Sequence, residues 1–316
     1  MTSAVLAVDA GQTEVRAALT GDGGGPQRVA TAPGVLRMGP EVGPDIVAAC
    51  LLAAVEGVRP LPEPAPSAAV GLSGFEAAGE DELRRVAELL RTELGVERVA
   101  LASDGLTSLL GALGERDGAV VAAGTGTVGV ARRGARLVKV DGWGSLLGDA
   151  GSGFAIGRAG IDSALRHADG RGGSEALLAA AEHRYGPAPG LSERIYADAV
   201  PTRAIAAFAV DVAAAAQAGD GAALAILEDA AAELALTACA GLARLFEPHE
   251  PAAVSFAGNV FRAGPVILEP FSRAVAERRP GTEVAPPAGD GLAGAALLAR
   301  LESRLEPEPG ILWTAP

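Results

Sequence analysis

Cysteine is almost absent from this chain: of 316 residues two are Cys, Cys50 and Cys239. Both stand in apolar, helix-like surroundings, and neither belongs to a CxxC or other metal-spaced pair. That argues against a disulfide framework or a cysteine-bound metal, and points to a reduced, cytoplasmic setting. Histidine is as scarce. His167, His183 and His249 share no motif, so each is read as structural or solvent-facing. There is very little lysine and no basic patch. Lys+Arg 26 against Asp+Glu 39 gives a net charge of −13, spread along the chain rather than blocked. Nucleic acid and anionic membranes are therefore not expected as partners. An acidic surface does not exclude an anionic ligand, because backbone amides in a loop bind phosphate locally. No apolar run approaches the ~20 residues needed to span a bilayer. The alanine-rich stretch 204–245 is broken by Asp211, Asp220, Glu228, Asp229 and Glu233. The opening MTSAVLAVDAGQTE lacks a basic n-region and a cleavable apolar core, and is not read as a signal peptide.

What is present is an ample core, with 49% hydrophobic and 21% charged residues. The length exceeds that at which single cores usually split, so two lobes are expected. Ala4–Val8 reads as a buried strand, Asp9–Thr13 as a tight glycine turn, and Glu14–Leu19 as the return strand of a hairpin. Asp45–Val58 follows as an amphipathic helix with Asp45 as N-cap. Next come a strand at Ala68–Leu72, a helix at Asp81–Leu94, a strand at Val99–Ala102 and a helix at Leu106–Leu113. Strands alternating with helices indicate an α/β sheet. The opening pattern then recurs: strand Ala119–Ala123, turn Gly124–Thr127, strands Val128–Arg132 and Ala135–Val140. This looks like an internal duplication and starts a second lobe near Arg116–Gly118. From Ile156 the chain is helical: Gly157–His167, Gly173–Tyr185, Ser192–Val200, Pro201–Ala218 and Ala222–Phe246. Pro251–Ala257 and Thr282–Ala285 read as strands, Gly264–Arg278 and Gly289–Leu305 as helices. Glu306–Pro316 is a Pro-rich tail expected to be partly ordered at best.

The stretch Val140–Phe154 carries five glycines in fifteen positions and cannot be a regular helix or strand. It is either a long surface loop or backbone kept for close approach to a ligand. Trp143 within it is read as a packing anchor. The turns Asp9–Thr13 and Gly124–Thr127 are each compatible with an ordinary hairpin. Together, at equivalent places in two halves, they suit a phosphate chain held from both sides. Asp9 ends a buried strand and needs a partner: a hydrated Mg²⁺ beside a nucleotide phosphate, or a backbone cap within its turn. Asp104 ends another strand. A carboxylate there suits proton acceptance from a hydroxyl nucleophile, and equally suits an N-cap for the helix that follows. Asp149 suits sugar hydroxyls, or a cap for Gly151–Ile156.

In order, Asp9–Thr13, Gly71-Leu72-Ser73-Gly74, Ser103-Asp104-Gly105, Ala123–Thr127, Gly142–Ser152 and Ala257–Val260 resemble the motifs of N-acetylglucosamine kinases in the BadF/BadG/BcrA/BcrD-type ATPase family of the actin–hexokinase superfamily. The resemblance covers about Ala4 to Leu298, and the GWG…GD-x-GS stretch is its most specific part. It implies an α/β, two-lobed, actin-like (ribonuclease H-like) ATPase fold with an interlobe cleft holding ATP·Mg²⁺ and an amino sugar. The first lobe would be 1–116, joined by a C-terminal helix at 288–306; the second would be 117–287. Gly11, Gln12 and Thr13, with Asp9, match the first phosphate loop, Asp9 meeting Mg²⁺ through water. Gly124, Thr125, Gly126 and Thr127 match the second. Gly258 and Asn259 match the adenosine side. Asp104 matches the base that takes the proton of the sugar 6-hydroxyl, and Ser73, Gly126 and Asp149 fall at sugar contacts, as does Asp104. A homodimer is implied by family habit alone.

The chain departs from the family pattern in three places. DGGGT or DGGGS reads DAGQT here, GDEGS reads GDAGS, and a sugar-contacting Asn has no clear counterpart in Pro33–Pro40. The expected activity is ATP-dependent phosphorylation of the 6-hydroxyl of N-acetylglucosamine or a related sugar, glucosamine or one like N-acetylmuramic acid. The alternatives are a nucleotide- or sugar-binding sensor without turnover, and a dehydratase-activating ATPase of the same family. The last bridges a dimer through a cysteine-held iron–sulfur cluster, for which Cys50 and Cys239 lack the spacing.

Overall fold

The computed structural model describes residues 4–11, 14–21, 26–34, 42–62 and 66–314. Gln12 and Thr13, most of the turn Gly21–Pro26 and most of Pro33–Pro40 lie outside them. The chain groups into two compact units: 1–120 with 130–139 and 285–316, and 121–129 with 140–284.

The first unit is built on a six-stranded sheet. Its strands are β1 (Val5–Ala10), β2 (Glu14–Thr20), β3 (Pro26–Pro33), β4 (Ser67–Leu72), β5 (Val99–Ser103) and β11 (Leu312–Thr314), in the order β11-β5-β4-β1-β2-β3. β1, β4 and β5 run parallel and form its centre. They are short continuous apolar runs, as strands covered on both faces should be. β1 and β2 pair as the expected antiparallel hairpin, with Asp9 opposite Arg16. β3 pairs with β2 and had no counterpart in the sequence reading. Its residues Gln27–Pro33 alternate exposed and half-exposed, as an edge strand does, and the prolines of PQRVATAP disguise it. The C-terminal tail is also corrected. Leu312–Thr314 pairs antiparallel with β5, and Trp313 packs on the core.

Helices α1 (Pro44–Glu56), α2 (Glu80–Leu94), α3 (Asp104–Leu113) and α11 (Gly291–Leu301) belong to the same unit. α1 is capped by Gly43 with Pro44 in its first turn, so Asp45 lies inside the helix rather than at the N-cap. α2 starts where the Gly79 N–H donates to Glu82 Oε2 at 2.8 Å and ends at left-handed Gly95. α3 and α11 approach closely. A Cβ on Gly294 would strike the Thr107 carbonyl, and one on Gly111 the Asp290 carbonyl. Two glycines thus set how near the last helix comes to the helix that begins with Asp104.

A second sheet has the order β10-β9-β6-β7-β8, with β6 (Gly118–Ala123), β7 (Thr127–Arg133), β8 (Arg136–Asp141), β9 (Ala253–Ala257) and β10 (Glu283–Val284). The helices of the second unit are α4 (Gly153–Ala168), α5 (Glu175–Tyr185), α6 (Leu191–Tyr196), α7 (Pro201–Ala207), α8 (Ala209–Gln217), α9 (Gly221–Ala243) and α10 (Pro265–Arg278). The helix expected over Pro201–Ala218 is two, meeting at Phe208, whose side chain is fully buried. Asp220 caps α9 through the Ala223 N–H at 2.8 Å and also accepts the Ser174 hydroxyl at 2.7 Å, tying α9 to the start of α5. No helix among the described residues is long and apolar enough to cross a membrane.

Candidate functional site

In the first unit, the C-terminal ends of β1, β4 and β5 bring Asp9, Ser73 and Asp104 to one edge of the sheet, where open α/β sheets bind ligands. Asp9 has a partner that neither sequence alternative named. Arg16, opposite it in the hairpin, donates to its Oδ2 at 2.5 Å. The same guanidinium donates to Asp290 Oδ2 at 2.6 Å. Asp290 is the N-cap of α11, its Oδ1 accepting the Ala293 N–H at 3.1 Å. Burial works against the charge of Asp290, but the Ala293 N–H and Arg16 hold its carboxyl below the ordinary range. A Cβ at Gly291 would lie 3.0 Å from both Asp9 carboxylate oxygens, so the helix start is shaped to admit that side chain.

Asp104 is the first residue of α3, but the cap is its neighbour. Ser103 Oγ accepts the Leu106 N–H at 3.3 Å. Of the two roles the sequence left open for Asp104, capping thus falls to Ser103, and the Asp104 carboxyl is left for other work. Burial pushes that carboxyl up to about 7, and the charges of Glu76 and Asp9 add to the rise. The Ser73 hydroxyl and the Gly105 N–H bond to it and oppose the rise. Ser73 is placed by its own N–H, which donates to the Ala10 carbonyl at 3.0 Å, tying the ends of β4 and β1 together. Gly71 has no Cβ where Thr107 Oγ1 would be 2.5 Å away, and so lets α3 lie on β4. Gly11 closes the turn after β1, donating its N–H to the Glu14 carbonyl at 3.0 Å.

In the second unit, Gly124–Thr127 joins β6 to β7, with the Gly124 N–H donating to the Gly126 carbonyl at 2.9 Å. The start of α4 is tied to this turn. Gly153 N–H donates to the Gly124 carbonyl at 2.8 Å and Phe154 N–H to the Thr125 carbonyl at 3.1 Å. Thr127 is buried, and its hydroxyl has no hydrogen-bond partner in the protein. Gly126 lies against Asp149; a Cβ on it would be 2.6 Å from Asp149 Oδ2. Gly258, at the end of β9 with φ 95°, backs onto Ala123, where a side chain would strike the backbone. Gly258 and the exposed Asn259 thus come next to the Gly124–Thr127 turn.

The glycine-rich loop is organised by Asp141, which the sequence reading passed over. Its two carboxylate oxygens accept the N–H groups of Asp149 at 2.9 Å and Ala150 at 3.1 Å. Asp141 and Asp149 both take left-handed backbone, φ 60° and 58°, a conformation that short polar side chains tolerate best among non-glycine residues. Asp149 is buried, and its Oδ1 accepts the Gly144 N–H at 3.3 Å. Ser152, not Asp149, caps α4, accepting the Ala155 N–H at 3.2 Å. Trp143 is not a packing anchor. It is 74% exposed, beside Leu146 at 90% and Leu147 at 87%.

For Mg²⁺, the donors fit the way that ion is usually held. It keeps several waters and takes one or two carboxylates together with phosphate oxygens. Asp9 would supply one such carboxylate, and among the described residues no cluster of three or more His, Cys, Asp or Glu forms a metal cage. Of the sequence-derived site residues, Asp9, Ser73 and Asp104 meet in the first unit, and Gly124–Thr127, Asp149 and Gly258 in the second. Gln12 and Thr13 lie outside the described residues. Arg16, Glu76, Asp141 and Asp290 were missed. For Arg16 the signal was its place opposite Asp9 in a hairpin, and for Asp290 an Asp-Gly opening onto the last apolar helix.

Among known proteins, the chain is 28% identical over 238 residues, 72% of its length and 76% of the relative's, to the N-acetylmuramic acid/N-acetylglucosamine kinase of Clostridium acetobutylicum. A solved structure from Chromobacterium violaceum, assigned as an N-acetylglucosamine kinase, superposes with a TM-score of 0.71 at 26% identity, covering 94% of this chain and 99% of that one. One from Porphyromonas gingivalis, with the same assignment, gives 0.73 at 20% identity and the same coverage. The fold is thus the α/β, actin-like fold of these sugar-kinase structures. A family model covers residues 6–299, and the chain belongs to the BadF/BadG/BcrA/BcrD ATPase family.

Proposed function

We propose that this chain is an ATP-dependent sugar kinase that transfers the γ-phosphoryl group of ATP to the 6-hydroxyl of N-acetylglucosamine or a related amino sugar, glucosamine or one like N-acetylmuramic acid. The observation that carries the reading is Asp104. A carboxyl at a strand end, released from capping by Ser103, bonded to Ser73 and held near 7 by burial and two neighbouring acids, is matched to general-base work at neutral pH. The relatives' names, and a family of ATPases, support nucleotide and sugar as the two ligands.

In this reading Asp104 accepts the proton of the sugar hydroxyl as its oxygen attacks phosphorus in line, and the leaving oxygen departs with ADP. Ser73, Gly126 and Asp149 bind and orient the sugar. The amides of Gly11–Thr13 and Gly124–Thr127 stabilise charge developing on the phosphoryl oxygens, with the Thr127 hydroxyl as a further donor. Gly258 and Asn259 lie on the adenosine side. Mg²⁺, when bound, would neutralise charge on the phosphoryl group, and Asp9 would hold it through water. The division into lobes 1–116 with 288–306 and 117–287, a cytoplasmic setting and a homodimer complete the proposal.

The test is coupled ADP release over a panel of hexoses and amino sugars, repeated with Asp104→Asn. Sugar-stimulated turnover that the variant loses supports a kinase. ATP binding without stimulation by any sugar would favour the sensor instead. Cys50 on α1 and Cys239 on α9 carry no cluster-binding spacing, which disfavours the dehydratase-activating role.

A further inference from the structure

Lys139 is the single lysine of the chain; the rest of its 26 Lys+Arg residues are arginine. The two cations differ physically. A guanidinium is a planar fork, whereas an ammonium is a compact point charge with three rotatable donors. A sequence that otherwise meets its needs for positive charge with arginine departs from that habit at one position, against an acid that acts on the candidate base.

Lys139 stands on β8 with Nζ 3.3 Å from Glu76 Oε1, the two side chains 19% and 24% exposed. Glu76 lies in the 3-10 turn Phe75–Ala77 that follows β4. Gly74 enters this turn in left-handed backbone, and the fully buried Phe75 pins it from below. The turn therefore carries Ser73 and Glu76 as one piece. Ser73 bonds the Asp104 carboxyl, and of the acids that act on it Glu76 acts most strongly. The other charged groups facing Asp104 are Asp9 on β1, itself bound to Arg16 on β2, and beyond Arg16 the Asp290 cap of α11. Arg16 is thus shared between two carboxylates, while Lys139 is the cation set against Glu76.

We propose that Lys139 is a positioning residue for the base: by holding and partly neutralising Glu76, it keeps the turn and Ser73 on the Asp104 carboxyl. The inference rests on the kinase reading, in which Asp104 is the base. A guanidinium at position 139 would restore the charge and only part of the geometry.

Two measurements test it. The first is the pH dependence of kcat/KM for wild type, Lys139→Met, Lys139→Arg and Glu76→Gln. Lys139→Met leaves Glu76 uncompensated. Its acidic limb should move up by about one pH unit, roughly a ten-fold loss below the limb, with KM for ATP little changed. Lys139→Arg should recover most of the shift, and Glu76→Gln should move the limb down. A purely structural ion pair would lower stability and leave the limb where it is, and that result overturns the proposal. The second uses the lone lysine directly. Reductive ¹³C-methylation keeps its charge and gives one dimethyl-lysine NMR signal apart from the terminal amine. That signal should step as Asp104 ionises in wild type, and the step should vanish in Asp104→Asn. A signal indifferent to Asp104→Asn overturns the proposal even if wild type turns over no sugar. Absent turnover alone would instead count against the kinase reading.

Discussion

Asp9 and Asp290, near opposite ends of the chain, hold the same guanidinium. Arg16 reaches Asp9 at 2.5 Å and Asp290 at 2.6 Å, so the first hairpin and the last helix are fastened at the candidate phosphate site. Asp290→Ala removes both the α11 cap and one arm of this bridge. Loss of a cap costs about 1 kcal/mol, and the half-exposed ion pair adds a few tenths. Denaturant unfolding should show a loss of about 1–1.5 kcal/mol. Asp290→Asn keeps a capping oxygen and should recover most of it. Equal losses in the two variants would mean that the cap contributes little.

Asp104 stores a cost that pH should reveal. Its folded carboxyl is pushed up to about 7 from an ordinary 3.8, so folding favours the protonated form. Stability is therefore full below about pH 4 and falls as pH rises to about 7, above which the whole cost is present. Asp104→Asn carries no such charge. At pH 8 it should be more stable than wild type by a few kcal/mol at most, and near pH 4 the advantage should disappear. Thermal unfolding of both proteins at the two pH values checks this. A variant less stable than wild type at pH 8 would mean that the carboxylate is well satisfied in the fold.

Gly126→Ala places a methyl group where Asp149 Oδ2 now lies, 2.6 Å from the built Cβ. Asp149 must move, because the loop backbone around it is fixed by Asp141. Sugar KM should rise about ten-fold or more while ATP affinity, measured by titration calorimetry, changes less. A loss of ATP affinity with sugar KM unchanged would place Gly126 with the phosphates alone.

Asp141→Ala removes the acceptor of two backbone N–H groups in a loop held in left-handed conformation. Leaving such donors unpaired costs about 1–3 kcal/mol. The expected outcome is a fall in kcat/KM of at least ten-fold, with enhanced amide exchange at Asp149 and Ala150. Unchanged exchange would show that the loop is held by other means.

Much of the fold was legible in local sequence. The central strands are continuous apolar runs, and helices such as α2 carry regular apolar spacing between glycine boundaries. Strands β3 and β11 were hidden because edge strands need only a few apolar positions and tolerate proline, so neither pattern nor composition marks them. Residue type marked Asp45 as a cap and left capping open as an alternative for Asp104. The structure gives the role to Gly43 and Ser103 instead, with Asp104 the first and Asp45 the second residue inside its helix. The places of Asp9, Ser73, Asp104 and Gly124–Thr127 at strand ends were legible because short apolar runs stop there at glycine-containing motifs. Arg16, Asp290 and the Glu76–Lys139 pair were not. Their partners come together only when distant segments fold, and no local pattern encodes that meeting.

The most direct measurement is the pH profile of sugar-dependent ADP release with N-acetylglucosamine and related amino sugars, for wild type and Asp104→Asn. The expected result is turnover stimulated by at least one of these sugars, with an acidic limb in kcat/KM near 7, and a loss of about a hundred-fold or more in the variant. Turnover by Asp104→Asn at the wild-type rate, or ATP binding that no sugar converts into turnover, would contradict it.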